Sequence, residues 1–453
     1  MGAQLEGRPL TLQQCYNLQD TFARKYFEHV SRQLDKITTQ HDPTFGLEIE
    51  LVGVNDDYTF RSFDSSQFNA NYAPEIMSSN VELVTDPLHH SSIDDLTRYI
   101  DTMKAGVQGP ALQIGGHPSF NKMYATQLLS PHKRYQQLIE VLSETPTEFC
   151  AKLFNGTDYC SSGAQWEGIG TSFQFTVNTP IGDVADFYNA AKKLGPIALY
   201  ATAASPFIDN MLSNMQSVRS IVIPAVTTAK HKKWRSLEPL NNPFRARSNL
   251  EQEMYRSLRN QSSSAIAKYF VESMREGWML RTEGDEDNIV QPPPTFWPTV
   301  KLQGHIINEG GIPIEVRTAE QLANTHDTVH YMLGMHSMIM EEARRQKEGS
   351  SRSSSGKLDD ANAQLVNRNR NIYWDEKVLH PIEIIKSFIP KMSNLQQLGY
   401  SSSDVRSVQE WWANRENDAR KMILSALTVQ PDLAVGKPLR QETLEQILEP
   451  HRL

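Results

Sequence analysis

The chain has 453 residues, of which 39% are apolar and 22% are charged, and its formal net charge is -8. This length suggests two or three domains, or one large α/β body with insertions, and the apolar content is sufficient for a buried core. The negative balance argues against a protein built to bind nucleic acid, because contacts to phosphate backbones depend on lysine and arginine.

The start of the chain and its apolar runs argue against secretion and membrane insertion. Residues 1–14 contain no apolar signal core, and the apolar run 194–208 is too short and too mixed to span a bilayer. The three cysteines, Cys15, Cys150 and Cys160, match no zinc or redox spacing. We therefore expect a soluble, reduced, cytoplasmic protein whose partners include neither nucleic acid nor membrane.

Apolar periodicity predicts an amphipathic helix over residues 10–37 and then a mixture of strands and helices. The strands and helices interleave without a strict βαβ rhythm, which predicts an α+β fold with a largely antiparallel sheet covered by helices. The predicted strands are 45–54, 80–85, 111–116, 170–179, 300–307 and 312–319, and the main helices are 91–107, 131–144, 183–205 and 326–347.

The same patterns divide the chain into four parts. We expect an N-terminal helix within 1–40 that packs on the core, a central domain at 41–348, and a helical region of the same unit at 357–453. Residues 349–356 are rich in serine, which is typical of a linker or a mobile insertion. A proline-rich loop at 291–298 interrupts the pattern before the last strands.

The run "TFGLEIELVG" at 44–53 places two carboxylates in a segment that otherwise has the character of a buried strand. Because side chains at i and i+2 of a strand share one face, Glu48 and Glu50 would lie side by side. Two adjacent carboxylates in a low-dielectric setting repel each other, so they need a compensating positive charge. A bound cation would supply that charge.

Other carboxylates recur in the predicted strands. Glu75 precedes the strand 80–85, Glu82 lies within it, and Glu315 shares one face of the strand 312–319 with Arg317. A single glutamate in a strand usually marks a solvated face. Five carboxylates in or beside three strands instead favour a site for a hard divalent cation, which prefers oxygen ligands.

A row of small polar residues follows one face of the strand 170–179, and it would suit a ligand platform or an ordinary half-exposed sheet. His117 lies in a Gly/Pro turn, where a residue that caps backbone groups is the favoured interpretation. Arg219 follows a helix break at Ser205 and Pro206, one to two turns into the next helix, and arginine is the natural clamp for a phosphoryl group. The polar row consists of Ser172, Gln174, Thr176 and Asn178.

Several nucleotide and hydrolase motifs are missing from the sequence. It contains neither a GxxxxGK[ST] segment nor GxGxxG, and it lacks GxSxG and HExxH. A nucleotide would therefore be held through metal ions and scattered cationic groups. The basic cluster at 230–247 would either rim such a site or form a solvated loop.

Taken in order, six segments resemble the type 2 glutamate–cysteine ligases and the related bacterial carboxylate–amine ligases of the glutamine synthetase-like superfamily. The resemblance runs from about residue 44 to 322 and implies a curved antiparallel catalytic sheet of the glutamine synthetase type, with a C-terminal helical extension. The segments are "TFGLEIEL", "NVELVTDP", "GGHPSF" followed by "SPHKRYQQL", "GTSFQFTVN", "AASPFIDN…SVRS" and "IPIEVRTAEQ".

Position by position, the resemblance implies metal ligation by five glutamates, with Gln174 as a further ligand or close neighbour where many relatives have histidine. Arg219 and Arg317 would be the catalytic residues that face the ATP γ-phosphate and the acyl phosphate. ATP would contact Gln174, Arg219 and Lys301. The five glutamates are Glu48, Glu50, Glu75, Glu82 and Glu315.

The activity implied is an ATP-dependent carboxylate–amine ligase that uses Mg²⁺, or Mn²⁺ in its place, and forms an amide through an acyl phosphate. γ-Glutamyl chemistry, for example glutamate plus cysteine, is favoured. The alternatives are a specialised biosynthetic ligase for another acid or amine, and a non-catalytic descendant that binds nucleotide or amino acid. A metal-dependent hydrolase is less favoured because water-activating histidines are not evident. The choice of substrates and any homo-oligomer are left open, since residues 226–296 do not align with the family.

Overall fold

A computed structural model describes residues 28–29, 32–37, 44–69, 71–132, 135–136, 138–139, 148–227, 300–303, 307, 310–351, 356–368 and 370–453. Several predicted segments therefore lie outside the described residues. They are the basic cluster, the proline-rich loop, most of the N-terminal helix, most of the helix 131–144 and nearly all of the segment 226–296. Residues 304–306 of the predicted strand 300–307, and residues 352–355 of the serine-rich segment, also lie outside the described residues.

The described part of the chain contains fourteen strands. Every strand predicted from the sequence is represented among them. They are β1 Thr44–Gly53, β2 Tyr72–Pro74, β3 Asn80–Val84, β4 Leu88–His89, β5 Ala111–Leu112, β6 Glu148–Lys152, β7 Asp158–Ser162, β8 Ser172–Thr179, β9 Phe207–Ile208, β10 Met211–Leu212, β11 Val300–Leu302, β12 Ile312–Glu320, β13 Ile372–Trp374 and β14 Lys377–Leu379.

The helices that cover the sheet are mostly those that the sequence predicts. None of the described helices is both long and apolar enough to cross a membrane. In chain order, the α-helices are α1 Ile93–Ala105, α2 Lys122–Gln127, α3 Val184–Lys193, α4 Gly195–Thr202, α5 Arg219–Thr227, α6 Thr325–Lys347, α7 Gly356–Asn367, α8 Pro381–Phe388, α9 Ser402–Asn414, α10 Asp418–Val429 and α11 Gln441–Leu448.

One eight-stranded sheet with antiparallel pairing organises the fold, and the α+β prediction is confirmed. Its main order is β11-β12-β8-β1-β3-β2, with β4 and β5 paired to the two ends of β1. The alternation expected for β1 is present, because Leu47 and Ile49 are buried whereas Glu48 and Glu50 are only partly buried. The apolar side of the sheet shares one core with helices α3, α4 and α6, which leaves the carboxylates on the opposite face.

The predicted helix 183–205 is two helices in the structure. α3 ends at Lys193, and α4 begins at Gly195 with Pro196 in its first turn. Proline has no backbone N–H and restricts the residue before it, so it fits the start of a new helix better than the interior of a long one. The periodicity of apolar residues continues across this break and does not reveal it.

The C-terminal region contributes to the same core as the sheet. Trp412 of α9 is fully buried, and its indole N–H donates to the carbonyl oxygen of His330 in α6 at 3.1 Å. The region also contains the hairpin β13–β14, which the polar, helical character of the sequence did not predict. Its turn residues Asp375 and Glu376 have φ values of 43° and 68°, in the left-handed region.

Replacing Gly334 with alanine should destabilise this packing, because a Cβ at that position would lie 1.8 Å from Trp412 Nε1. We expect a loss of about 1–3 kcal/mol in the free energy of unfolding, even though alanine is the better helix former. Urea denaturation of both proteins measures this difference. Gly182→Ala is the matched control, since a Cβ there would meet no atom within 4 Å. A Gly334→Ala protein as stable as the control would contradict the prediction.

The cysteines differ from the reduced state that we expected. Cys150 and Cys160 are opposite each other in the β6–β7 hairpin, with Cα atoms 4.1 Å apart, and they form a disulfide. Cys15 lies outside the described residues. The register of the hairpin brings the two cysteines together. Because the sequence analysis did not predict this hairpin, the spacing of the cysteines alone did not reveal the pairing.

Candidate active site

The strands bring most of the predicted site residues to one face of the sheet. Glu50 of β1 is the direct cross-strand partner of Glu82 in β3, and Glu48 pairs with Gln174 of β8. On the other side of β8, Glu315 of β12 pairs with Lys301 of β11. The antiparallel register therefore places these predicted residues on directly paired strands.

Three carboxylates form the tightest part of this face. Carboxylate oxygens of Glu50, Glu75 and Glu82 all lie within 4.8 Å of one another. Glu75 reaches the cluster because it follows β2 directly, and β2 pairs with β3 beside Glu82. Glu50 is held in place by Ser172, whose backbone N–H donates to Oε2 at 2.7 Å and whose hydroxyl donates to Oε1 at 2.6 Å.

Within the triad of Glu50, Glu75 and Glu82, the carboxyl of Glu82 is held by burial and by its acidic neighbours in an environment that disfavours its charge. Burial, followed by the nearby Glu75 and Glu50, raises the pKa of Glu82 to about 8. Without an added cation, this side chain therefore holds a proton at neutral pH. A cluster of carboxylate oxygens, in which Glu82 keeps its proton unless a positive charge arrives, fits a hard divalent cation such as Mg²⁺.

The buried carboxyl of Glu82 gives the metal-free protein a specific pH dependence. An unfolded glutamate ionises near its ordinary pKa of 4.5, whereas folded Glu82 keeps its proton until about pH 8. The folded state therefore binds the extra proton in this window, and its free energy of unfolding should fall as the pH rises through it. Thermal denaturation from pH 5 to 8 without divalent cations measures this loss.

Two comparisons separate Glu82 from other titrating groups. The Glu82→Gln variant should lose less stability over the same pH range than the wild type. Added Mg²⁺ should raise the melting temperature of the wild type more at pH 8 than at pH 5, because at low pH it must displace the proton. Equal pH slopes for the two proteins would show that Glu82 ionises normally.

Glu315 has a different electrostatic environment from the triad. Arg317 Nη1 donates to Glu315 Oε2 at 2.8 Å, and the Glu315 side chain is only 1% exposed. Burial tends to raise the pKa of Glu315, but Arg317 and Lys301 together hold it below its ordinary value. The pKa of neighbouring Glu48 is raised by burial and by Glu82 and Glu315. Glu315 is thus paired with a cationic side chain of its own strand.

Gln174 links the polar row to the triad. Its Nε2 donates to Glu50 Oε1 at 3.2 Å and to Ser172 Oγ at 3.0 Å. Its Oε1 is buried and has no hydrogen-bond partner among the described residues. Ser172, Gln174 and Asn178 are buried and Thr176 is partly buried, so most of the row is enclosed. The free amide oxygen beside Glu50 fits a further cation ligand or a neighbour of one.

A cleft of about 810 Å³, counted to its open mouth, borders the triad. Its lining includes Glu50, Glu75, Arg219 and Arg317. Arg219 is the first residue of α5, and not one to two turns into a helix as the sequence suggested. Its side chain crosses Gly170, where a Cβ would lie 2.3 Å from Arg219 Cδ. Other predicted site residues are absent from the described lining, namely Glu48, Glu82, Gln174, Lys301 and Glu315.

His117 has the structural role that the turn pattern favoured. Its Nδ1 accepts from the backbone N–H of Ser119 at 3.2 Å, and its Nε2 lies 3.0 Å from the carbonyl oxygen of Tyr58. Burial lowers the pKa of His117 to about 4, so the ring is neutral. The histidine connects two chain segments and is not among the described residues of the cleft.

Sequence reasoning missed Glu320, which lines the cleft together with Arg219. Strict alternation from Glu315 and Arg317 would put Ala319 on the site face and Glu320 on the other. A register shift between Val316 and Ala319 reverses that order and pairs Glu320 with Ser172. The sequence offers no signal for this bulge.

Comparisons with known proteins identify a shared fold and no family. No protein-family model and no curated protein matches the chain. Among solved structures, it is similar to a bifunctional glutathione synthetase from Pasteurella multocida, with a TM-score of 0.51 and 13% identity. The match covers 94% of this chain and 54% of that chain, so this chain spans about half the length of the similar protein. At this identity the likeness shows the fold alone.

A second solved structure is the complex between the prokaryotic ubiquitin-like protein Pup and its ligase PafA. It matches 88% of this chain and 67% of that chain, with 9% identity. Its TM-score is 0.38, which is too low to support a conclusion about this chain.

Proposed function

We propose that this chain is an ATP-dependent carboxylate–amine ligase with a catalytic sheet of the glutamine synthetase type. The observation that carries the proposal is a cluster of three carboxylates within 4.8 Å of one another, two of which, Glu50 and Glu75, line one cleft together with Arg219 and Arg317. Carboxylates that hold metal and arginines that bind phosphate are the groups that phosphoryl transfer requires. The ordered sequence segments and the fold likeness to the glutathione synthetase support the same proposal.

The acidic face would hold Mg²⁺ through Glu50, Glu75 and Glu82, with Gln174 beside them, and Glu48 and Glu315 as further ligands. When bound, Mg²⁺ would supply positive charge that offsets the negative charge developing on the phosphates during transfer. Glu315 differs from the triad in that Arg317 already pairs with it. Lys301 adds positive charge on the same side of the sheet, where it would also attract phosphate.

In the proposed reaction, a carboxylate oxygen of the acid substrate attacks the γ-phosphorus of ATP, and ADP leaves. Arg219 and Arg317 would donate hydrogen bonds to the transferred phosphoryl group and screen the approach of two anions. The amine then attacks the acyl carbon of the acyl phosphate, and phosphate leaves as the amide forms. The amine proton passes to a base or to the departing phosphate.

The favoured substrates are glutamate, joined through its γ-carboxyl group, and an amine such as cysteine. A specialised ligase for another acid or amine is the second candidate, because residues 226–296, which should help to select the substrates, do not align with the family that the sequence resembles. We propose that residues 41–348 form the core of the catalytic unit and that residues 357–453 complete it.

A deletion of 352–355 in the serine-rich segment should be tolerated. Ser351 has to be kept, because it is buried against Glu342 and Lys193.

The test is phosphate release from ATP with Mg²⁺ across a panel of amino acids, singly and in pairs, with the amide product identified by mass. Stimulation by glutamate plus one amine, with a matching amide, would establish the ligase and its substrates together. Stimulation by a different acid would favour the specialised ligase. Nucleotide binding without turnover by any pair would overturn the proposal and favour a non-catalytic binding protein.

Arg219→Ala should lower kcat about 100-fold while the KM for the amine changes little, because the guanidinium would act on the transferred phosphoryl group. Arg219→Lys should recover only part of the rate, since an ammonium group lacks the planar fork of donors. Steady-state kinetics with each substrate varied in turn measures both effects. Arg98→Ala is a control at a side chain that is 73% exposed. A change confined to the KM for the amine would assign Arg219 to the amine pocket.

A further inference from the structure

Glu320 is a buried carboxylate that the proposed chemistry does not use. It is 1% exposed, at the end of β12. Its Oε2 accepts from the backbone N–H of Ala204 at 2.6 Å, and its Oε1 accepts from the hydroxyls of Ser205, at 2.8 Å, and Ser217. Burying a carboxylate costs free energy unless hydrogen bonds compensate for the lost water. The three groups that donate to Glu320 therefore indicate what its side chain holds in place.

These partners belong to two segments, one that follows α4 (Ala204 and Ser205) and one that leads into the helix of Arg219 (Ser217). Val218 donates its backbone N–H to the carbonyl oxygen of Ser205 at 2.8 Å, which joins the segments side by side. The hydroxyl oxygen of Ser205 accepts from the backbone N–H of Arg219 at 3.3 Å. The hydroxyl oxygen of Ser217 accepts from the backbone N–H of Ser220 at 3.0 Å. Glu320 therefore fixes, through two serines, the first turn of α5.

The surroundings of Glu320 are shaped for this contact. A Cβ at Gly115 would lie 2.7 Å from Glu320 Oε2, and one at Gly116 would lie 2.7 Å from Ser205 Cβ. On the other side of Ser217, Asn367 accepts from its backbone N–H at 2.7 Å and donates to its carbonyl oxygen at 2.9 Å. The paired glycines before His117 thus have a physical reason, which is the close approach of their backbone to Glu320 and Ser205.

We propose that Glu320 is a positioning residue that fixes Arg219 of α5 relative to Arg317 of β12, so that both arginines meet the same phosphoryl group. The inference rests on the proposed function only in naming a phosphoryl group as the ligand of the two arginines. The structural part follows from connectivity, because Glu320 lies three residues beyond Arg317 on one strand and binds the two serines whose hydroxyls accept from Arg219 and Ser220. A displacement of about 1 Å between such groups is enough to cost about 100-fold in rate.

The first experiment measures position without activity. In Glu320→Gln, hydrogen exchange at the backbone amides of Ala204, Arg219 and Ser220 should be at least about 10-fold faster than in the wild type, because the neutral amide binds three donors more weakly. Exchange in β8 should not change. Glu341→Gln is the matched control, since Glu341 is 8% exposed and pairs with Arg344 on α6. Unchanged exchange at the start of α5 would overturn the inference.

The second experiment measures kinetics in the same variants. Glu320→Gln should lower kcat about 10- to 100-fold and leave the Mg²⁺ dissociation constant unchanged. Glu320→Asp should reach less than half of the wild-type kcat, because its side chain is one methylene shorter. Ser205→Ala, which keeps the carboxylate, should give a smaller loss that does not add to that of Glu320→Gln. Additive losses, or weaker Mg²⁺ binding, would assign Glu320 to another role. A wild type without turnover would defeat the proposed function, whereas the exchange experiment would still decide the position of α5.

Discussion

Under the proposed function, replacing Glu50 with glutamine is expected to lower ATP-dependent amide formation about 1000-fold and to weaken Mg²⁺ binding, while the protein stays folded. The variant keeps the shape of the side chain, and its amide oxygen can still accept from the backbone N–H of Ser172, which donates to Glu50 at 2.7 Å. It removes one negative charge and one oxygen donor from the cluster with Glu75 and Glu82. The loss should therefore appear in metal binding and rate, and not in folding.

Phosphate-release kinetics and titration calorimetry with Mg²⁺ measure the two effects, and circular dichroism verifies the fold. Glu445→Gln on the exposed side of α11 is the control for the loss of one negative charge. Normal activity with normal Mg²⁺ binding in Glu50→Gln would show that the triad is not the metal site. Lost activity with normal Mg²⁺ binding would move Glu50 from the metal to the substrate.

The sheet could be predicted from sequence because its strands bury one face. The alternation of apolar and polar residues in β1 and β8 follows from the two-residue period of a strand. The positions of the acidic residues in β1 follow from the same period. The same reasoning placed Glu48 and Glu50 side by side, and put Arg317 beside Glu315 on β12. It says nothing about which strands are neighbours. The meeting of Glu50 with Glu82 depended on the resemblance and on the observed register.

Features that depend on local backbone geometry or on distant contacts could not be predicted. The break between α3 and α4 lies inside a continuous apolar pattern, and only Gly195 and Pro196 mark it. The β6–β7 hairpin that pairs Cys150 with Cys160 was missed although β6 alternates between exposed and buried residues. Glu320 was missed because a bulge in β12 reverses the faces after Val316. Each of these is set by one or two residues, whereas periodicity is an average over many residues.

Replacing Arg317 with alanine is expected to abolish measurable turnover and also to lower the free energy of unfolding by about 3 kcal/mol. The guanidinium donates to Glu315 at 2.8 Å, and that carboxylate is 1% exposed. Its removal leaves Glu315 buried with Lys301 as the remaining cation that lowers its pKa. The pKa of Glu315 should then rise, and the variant should recover stability as the pH falls toward that pKa, because the folded state gains a proton. Urea denaturation at several pH values measures this, alongside phosphate release.

The double variant Arg317→Ala/Glu315→Gln separates the two roles of the arginine. Removing the unpaired charge should restore most of the lost stability, since a neutral amide costs less to bury than an ionised carboxylate. Activity should not return, because the group that would bind the transferred phosphoryl is still missing. If the double variant regained both stability and turnover, Arg317 would serve only to neutralise Glu315. If it regained neither, the pair would act chiefly in holding β12 in place.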